Sequence, residues 1–199
     1  MKRSKNKMAN TLEKFGLRPS RQLNGSPFIN AQNRYRIAAL NSTSIYQGDL
    51  VTPLTSGTVT RYVANTSNVV VGVFNGCFYT DPTTQKPTWS NYYPSSTNAS
   101  DIIAFVIDGP DTVFEINADD TFAVADLFRN YSVNNASGNT KTGISYVQLD
   151  VAESGTAGTF VVQAIDISQD PNNDDVSTSN ANIMVRINNH FYRQGGTGI

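Results

Sequence analysis

The feature that most constrains this chain is its punctuation. From Asn33 onward, runs of β-branched and aromatic residues last only a few positions before a cluster of Gly, Pro, Asn, Asp or Ser interrupts them. No apolar pattern holds the helical period over a helix of ordinary length, so the core has to be built from strands. Composition agrees, with 22 Asn, 18 Ser and 20 Thr among 199 residues. Their short polar side chains compete for backbone hydrogen bonds inside helices and favour turns and strands instead.

The strand readings follow in order. Arg34–Leu40, Ser44–Tyr46, Leu50–Thr52 and Thr58–Ala64 come first. Val69–Phe74 is apolar at successive positions, as a strand covered on both faces requires. Ile102–Ile107, the turn Asp108-Gly109-Pro110-Asp111 and Thr112–Ile116 together read as a hairpin. Tyr146–Val151 alternates cleanly, and Phe160–Ile167 and Ile183–Phe191 complete the set. Asp119–Tyr131 is the one helical candidate: Phe122, Leu127, Phe128 and Tyr131 loosely follow helical spacing behind an Asp119-Asp120-Thr121 cap. Residues 81–100 carry three prolines with Trp89, Tyr92 and Tyr93, and read as a long surface loop. About nine strands at this spacing predict an all-β fold, a single β-barrel or β-sandwich domain with at most one short helix. Alternation alone does not choose between barrel and sandwich.

Charge divides the chain. Residues 1–36 hold nine basic side chains against the single acid Glu13, a net +8; residues 37–199 hold six against fifteen, a net −9. The reading is an extended basic N-terminal arm, residues 1–33, joined to a β-rich body, residues 34–199. Met8 is an alternative start, with Met1–Lys7 then a basic extension. Gly16, Pro19, Asn24-Gly25 and Pro27 punctuate the arm, and only Thr11–Phe15 has the makings of a helical turn. Leu12, Phe15, Leu17, Leu23, Phe28 and Ile29 are apolar anchors that a merely solvated tail has no use for. An acidic protein surface is the expected partner. Nucleic acid is the disfavoured one, because a binder carries its positive charge on the folded surface and this body is acidic.

Catalysis finds little to work with. One cysteine, Cys77, makes neither an internal disulfide nor a multi-thiolate zinc site, and one histidine, His190, excludes two-histidine metal sites. His190 lies at a strand end with no nucleophile elbow anywhere in the chain, so a packed or hydrogen-bonding role is expected. The pairs Asp108/Asp111, Asp119/Asp120 and Asp174/Asp175 sit in turn or cap signatures, where Asp accepts local backbone hydrogen bonds. Asp170–Asp175 has oxygen ligands for calcium, but it lacks the glycine and closing glutamate of an EF-hand. No run approaches the roughly 18 apolar residues of a membrane-spanning helix, and no secretory signal follows the basic start. Neither enzyme activity, metal, cofactor nor a membrane is expected.

Several segments resemble a family of virion structural proteins from tailed phages. Met8-Ala9-Asn10 and Phe15-Gly16-Leu17-Arg18-Pro19 with Leu23-Asn24-Gly25-Ser26-Pro27 resemble its N-terminal element. Thr112–Glu115, Thr142–Ser145 with Gln148–Asp150, and Asp170–Asn172 are similar to its middle. Val185–His190, followed by Gly195–Gly198, is similar to its C-terminal end. The resemblance implies a capsid decoration (cement) protein, non-enzymatic and located on the virion surface. Its implied partners are the major capsid protein and neighbouring copies of itself, as a homo-oligomer or bound on the lattice.

On that reading Lys14, Arg18 and Arg21 are the expected electrostatic contacts and Phe15, Leu17 and Phe28 the apolar anchors of a capsid-binding arm. Arg186, Asn188 and His190 form a secondary contact. Deleting residues 1–30 is expected to abolish attachment and leave the body folded. The alternative is another virion component, a head fibre, tail or head–tail joining protein, with a receptor or glycan-binding role carried by Trp89, Tyr92 and Tyr93.

Overall fold

The computed structural model describes residue 10, residues 12–64, residue 66, residues 68–173 and residues 178–193. Among these, fourteen short strands pair antiparallel, and the helical pieces are two 3-10 turns, Val124–Asp126 and Pro171–Asn173. The first sheet runs, in spatial order, β1 (Arg18–Gln22), β10 (Thr112–Asn117), β14 (Asn182–Ile187), β13 (Val162–Ile167), β11 (Asn130–Val133) and β12 (Leu149–Gly155). The second runs β2 (Asn33–Arg36), β9 (Ile103–Ile107), β6 (Gly72–Thr80), β4 (Leu50–Pro53) and β5 (Val59–Arg61). Beyond β4, β7 (Pro87–Ser90) also pairs with β6, and β3 (Ile45–Tyr46) pairs with β8 (Tyr92–Tyr93) as a small ribbon. The first sheet curls until Ala118 meets Leu149 in one parallel bridge, which does not close a barrel. The fold is all-β and sandwich-like.

Two cores follow from the two-residue strand period. Leu50, Val70, Val73 and Ile107 face the first sheet, where they join Phe114, Ile116, Tyr131, Leu149, Val162, Ile183 and Val185. Their neighbours Val51, Val71, Phe74 and Val106 face the other way, into a second core with Ile45, Cys77, Tyr93 and Ala104. Val70–Phe74, where β6 begins, therefore have two buried faces, as an apolar run interrupted only by Gly72 requires, whereas Val69 before it is exposed. A bulge at Asn75 shifts the pairing from Phe74 opposite Val106 to Gly76 opposite Phe105. One extra residue changes the parity. Phe74, Cys77 and Tyr79 thereby all reach the second core, while Gly76 and Phe78 share the face of Val73.

Four sequence expectations are corrected. Ile102–Ile107 and Thr112–Ile116 do not form a hairpin: β9 belongs to the second sheet and β10 to the first. A tight hairpin turn needs positive φ, and none of Asp108–Asp111 has it. The chain turns a corner between sheets instead, with Thr112 N–H donating to the Gly109 carbonyl at 3.0 Å. Residues 81–100 are not one loop, because β7 folds back on β6 and β8 joins β3. Pro87 opens an edge strand, a position where no ladder N–H is required. In Asp119–Tyr131 a 3-10 turn takes the place of the helix, since Phe122 and Tyr131 must both enter the first core, with ring centroids 5.7 Å apart. Finally, residues 1–33 are not all arm: β1 is a strand of the first sheet.

Candidate functional site

The N-terminal segment enters the fold at Gly16. With φ +67°, Gly16 passes so close to the β3–β4 turn that a Cβ there would lie 2.6 Å from the Gly48 carbonyl oxygen and 2.7 Å from Ser145 Cβ. Leu17 N–H donates to that carbonyl at 2.9 Å, and the Leu17 side chain is buried in the first core. The turn it docks on is held from beneath. Asp49, fully buried, accepts from Tyr46 N–H at 2.8 Å and Ser145 Oγ at 2.5 Å and pairs with Arg61 Nε at 3.1 Å. Burial pushes the Asp49 carboxyl above its usual pKa, against the opposing pull of Arg61 and both hydrogen bonds.

Strand β1 then places its arginines on the outer face of the first sheet. Arg18 pairs with Glu115 at 2.6 Å, its guanidinium 4.6 Å from the Phe15 ring centroid, and Glu115 also accepts from Ser168 Oγ at 2.7 Å. Arg21 lies opposite Val113, which on its other side lies opposite Arg186. The register thus brings Arg21 and Arg186, from the two groups predicted separately, to one face with a single strand between them. Arg186 Nε donates to Gln163 at 2.9 Å; burial first and then the Arg193 charge lower its pKa. Lys14 is exposed. The Asn24-Gly25 turn folds Pro27 back against Arg21, and Phe28 packs half-buried on the first core.

Strand β2 ends the second sheet as β1 ends the first. Both reach the Asp108–Asp111 corner: Leu23 N–H donates to the Asp111 carbonyl at 2.8 Å, and Asn33 Nδ2 donates to the Asp108 carboxylate at 2.9 Å. Exposed Arg34 and Arg36 lie on β2. The basic segment is therefore the flank on which both sheets end, and its described residues 12–36 carry five basic side chains against Glu13.

The remaining predicted contacts are interior. Asn188 is buried and donates to the Gly158 and Phe160 carbonyls at 3.3 and 3.2 Å, closing the turn before β13. His190 is 2% exposed; its Nδ1 accepts from Tyr192 N–H at 3.1 Å, and its Nε2 has no hydrogen-bond partner. Burial draws its pKa down, against the nearby charge of Asp108. Of the secondary group, only Arg186 belongs to the flank. Leu17 and Phe28 anchor the segment to its own body, so deleting residues 1–30 removes a strand and core side chains along with the contact.

Sequence reasoning missed the uncovered end of the second sheet. The first sheet covers Val73 and Ile107 but stops short of Gly76, Phe78, Ile103, Phe105 and Trp89. Trp89 and Phe105 meet at 5.0 Å, and Arg34 sits 5.8 Å from the Phe105 centroid. A separate pocket of about 240 Å³ opens beside the flank, lined by Phe15, Leu17, Pro19, Val73, Asn75 and Ile107 among others. Trp89, Tyr92 and Tyr93 do not share a surface: Tyr93 is buried, and Tyr92 stacks on Tyr46 at 5.5 Å. Period-two alternation already separates Trp89 from its neighbours, and the signal for the bulge that aims Phe78 is Asn75-Gly76 inside an apolar strand run.

Among the described residues no cluster of three or more His, Cys, Asp or Glu is placed to hold a metal, and no helix is long and apolar enough to cross a membrane. The basic residues before Asn10, the Met8-Ala9 match, Asp174, Asp175 and the glycines after Arg193 lie outside the described residues. Fold and flank together define a β-sandwich-like module with a basic edge built from its own N-terminal segment. No family model matches the chain, and neither does any curated protein or solved structure.

Proposed function

We propose that this chain is a non-enzymatic capsid decoration (cement) protein, seated on the outside of a phage-type major capsid shell through its basic flank. The observation that carries the reading is where the family-like segments fall. Phe15–Pro19 leads into β1, Thr112–Glu115 lies in β10 and Val185–His190 begins in β14, three neighbouring strands of one sheet. Ser145, from the Thr142–Ser145 segment, packs against Gly16. Four of these segments, far apart in sequence, thus surround one flank, and that flank collects the cations, while Gln148–Asp150 reaches β12 at the other edge of the sheet. Screening at physiological salt acts over about 8 Å, so these charges work on an acidic surface in direct contact. Modest single contacts suffice, because neighbouring copies on a lattice add their attachments.

Co-sedimentation with empty, expanded capsids tests this. Lys14→Glu combined with Arg21→Glu is expected to weaken attachment tenfold or more while the far-UV CD spectrum is unchanged. Attachment at wild-type strength would reject the flank as the contact. Arg18 is left in place because it also holds Glu115.

A further inference from the structure

We propose that the face of the second sheet left uncovered by the first is a carbohydrate-binding platform, on which Trp89 stacks one pyranose ring of an oligosaccharide and Arg36 and Asp101, across the sheet from it, bond the hydroxyls of a further ring. The registers set out the surface. Trp89 lies opposite Phe78, Phe78 opposite Ile103 and Ile103 opposite Arg36, one row across four strands; Gly76, Phe105 and Arg34 form the next row. Trp89 is 50% and Phe78 38% exposed, and neither they nor Phe105 and Ile103 enter either core.

The platform is rigid. The Trp89 ring crosses Gly76, where a Cβ would lie 2.7 Å from its Cζ2, and Gly76 has φ +133° at the bulge. An indole mounted on a sheet loses little rotamer freedom on binding, which a shallow site needs. At the arginine end a groove of about 410 Å³ opens between Arg34, Arg36, Asp101 and Ile103. Asp101 is held there by Thr80, whose Oγ1 donates at 2.7 Å and N–H at 3.1 Å, and those bonds keep its carboxyl below the usual pKa.

Three candidate occupants differ in what they ask of such a surface. An apolar protein face would strip water from Arg36 and Asp101 without replacing it. A nucleic-acid strand needs a track of cations, and here a fixed carboxylate interrupts it while Arg34 is turned onto Phe105. A pyranose has an apolar C–H face and a rim of hydroxyls that donate and accept. Aromatic centre, acceptor-only Asp101 and donor-only Arg36 match both parts.

The proposal does not depend on attachment to a shell. Full-length protein is applied to a printed array of neutral and uronic-acid-containing pyranose oligosaccharides, and the strongest ligand is titrated calorimetrically. Trp89→Ala is expected to weaken it tenfold or more, Trp89→Phe to remain within about threefold of wild type and Asp101→Asn to weaken it measurably, all with the far-UV CD spectrum of the folded wild type at the assay temperature. Trp89→Ala should still co-sediment with capsids, which separates this site from the flank. No array signal from the wild type, or a signal that Trp89→Ala leaves intact, would overturn it. So would Trp89-dependent binding of single-stranded DNA in place of glycans.

Discussion

At the scale of single residues, Asp49 and His190 are the groups whose burial has the largest consequences. Asp49 is enclosed with Arg61, whose side chain is itself only 14% exposed. Removing one partner of a buried pair leaves the other charge uncompensated, which costs about 3–5 kcal/mol. Asp49→Ala is therefore expected to lower the urea-unfolding free energy by that amount, and a loss below about 1 kcal/mol would show that the pair is solvated. For His190 the folded pKa lies below the usual ~6.5, so the unfolded chain takes up the proton first. The stabilisation is complete above about pH 6.5 and is lost as pH falls from there towards the lowered folded value. The unfolding free energy of wild type minus that of His190→Asn should decline between pH 7.5 and 5, and a difference that stays constant would show that His190 does not titrate differently on folding. The turn around Asp49 was readable from Gln47-Gly48-Asp49, but its pairing with Arg61 was not, because nothing local distinguishes a buried Asp from one capping its own turn.

Among the elements, β1 decides what the N-terminal segment is. Its charge and its prolines suited a free arm, and an edge strand admits both: Pro19 sits where only one side of the strand is paired, and the register slips at Ser20. The docking point is Gly16, whose backbone conformation and missing side chain are both used. Gly16→Ala is expected to destabilise the protein by about 1–3 kcal/mol and to make the chain before Arg18 cleavable by trypsin under native conditions. An unchanged digestion pattern would mean that the segment tolerates a Cβ. The corner between β9 and β10 is a second case. An apolar strand, a Gly-Pro turn and another apolar strand match a hairpin in composition, and only the backbone angles of the turn send the two strands into different sheets.

For the molecule as a whole, the second sheet couples the two cores because its strands feed both. Phe74 fills one and Phe114 the other. Phe74→Ala and Phe114→Ala should each lower stability by about 3–5 kcal/mol and shift one common transition. Trp89 fluorescence and far-UV CD followed together check this, and two separated transitions would show that the cores unfold independently.

What the sequence determined by itself was the class of fold, the two-faced burial of Val70–Phe74 and the concentration of positive charge before residue 37. Each is local: strand period, turn chemistry and side-chain charge depend on neighbours a few positions away. What the tertiary structure decided was strand order, the passage of the chain between sheets at Asp108–Asp111, and the use of β1 as sheet rather than arm. It also decided that Arg21 lies near Arg186 and that Trp89 faces Phe105. These are pairings between distant segments, set by which apolar faces close over one another, and a one-residue bulge such as Asn75 reverses a face without altering the composition around it.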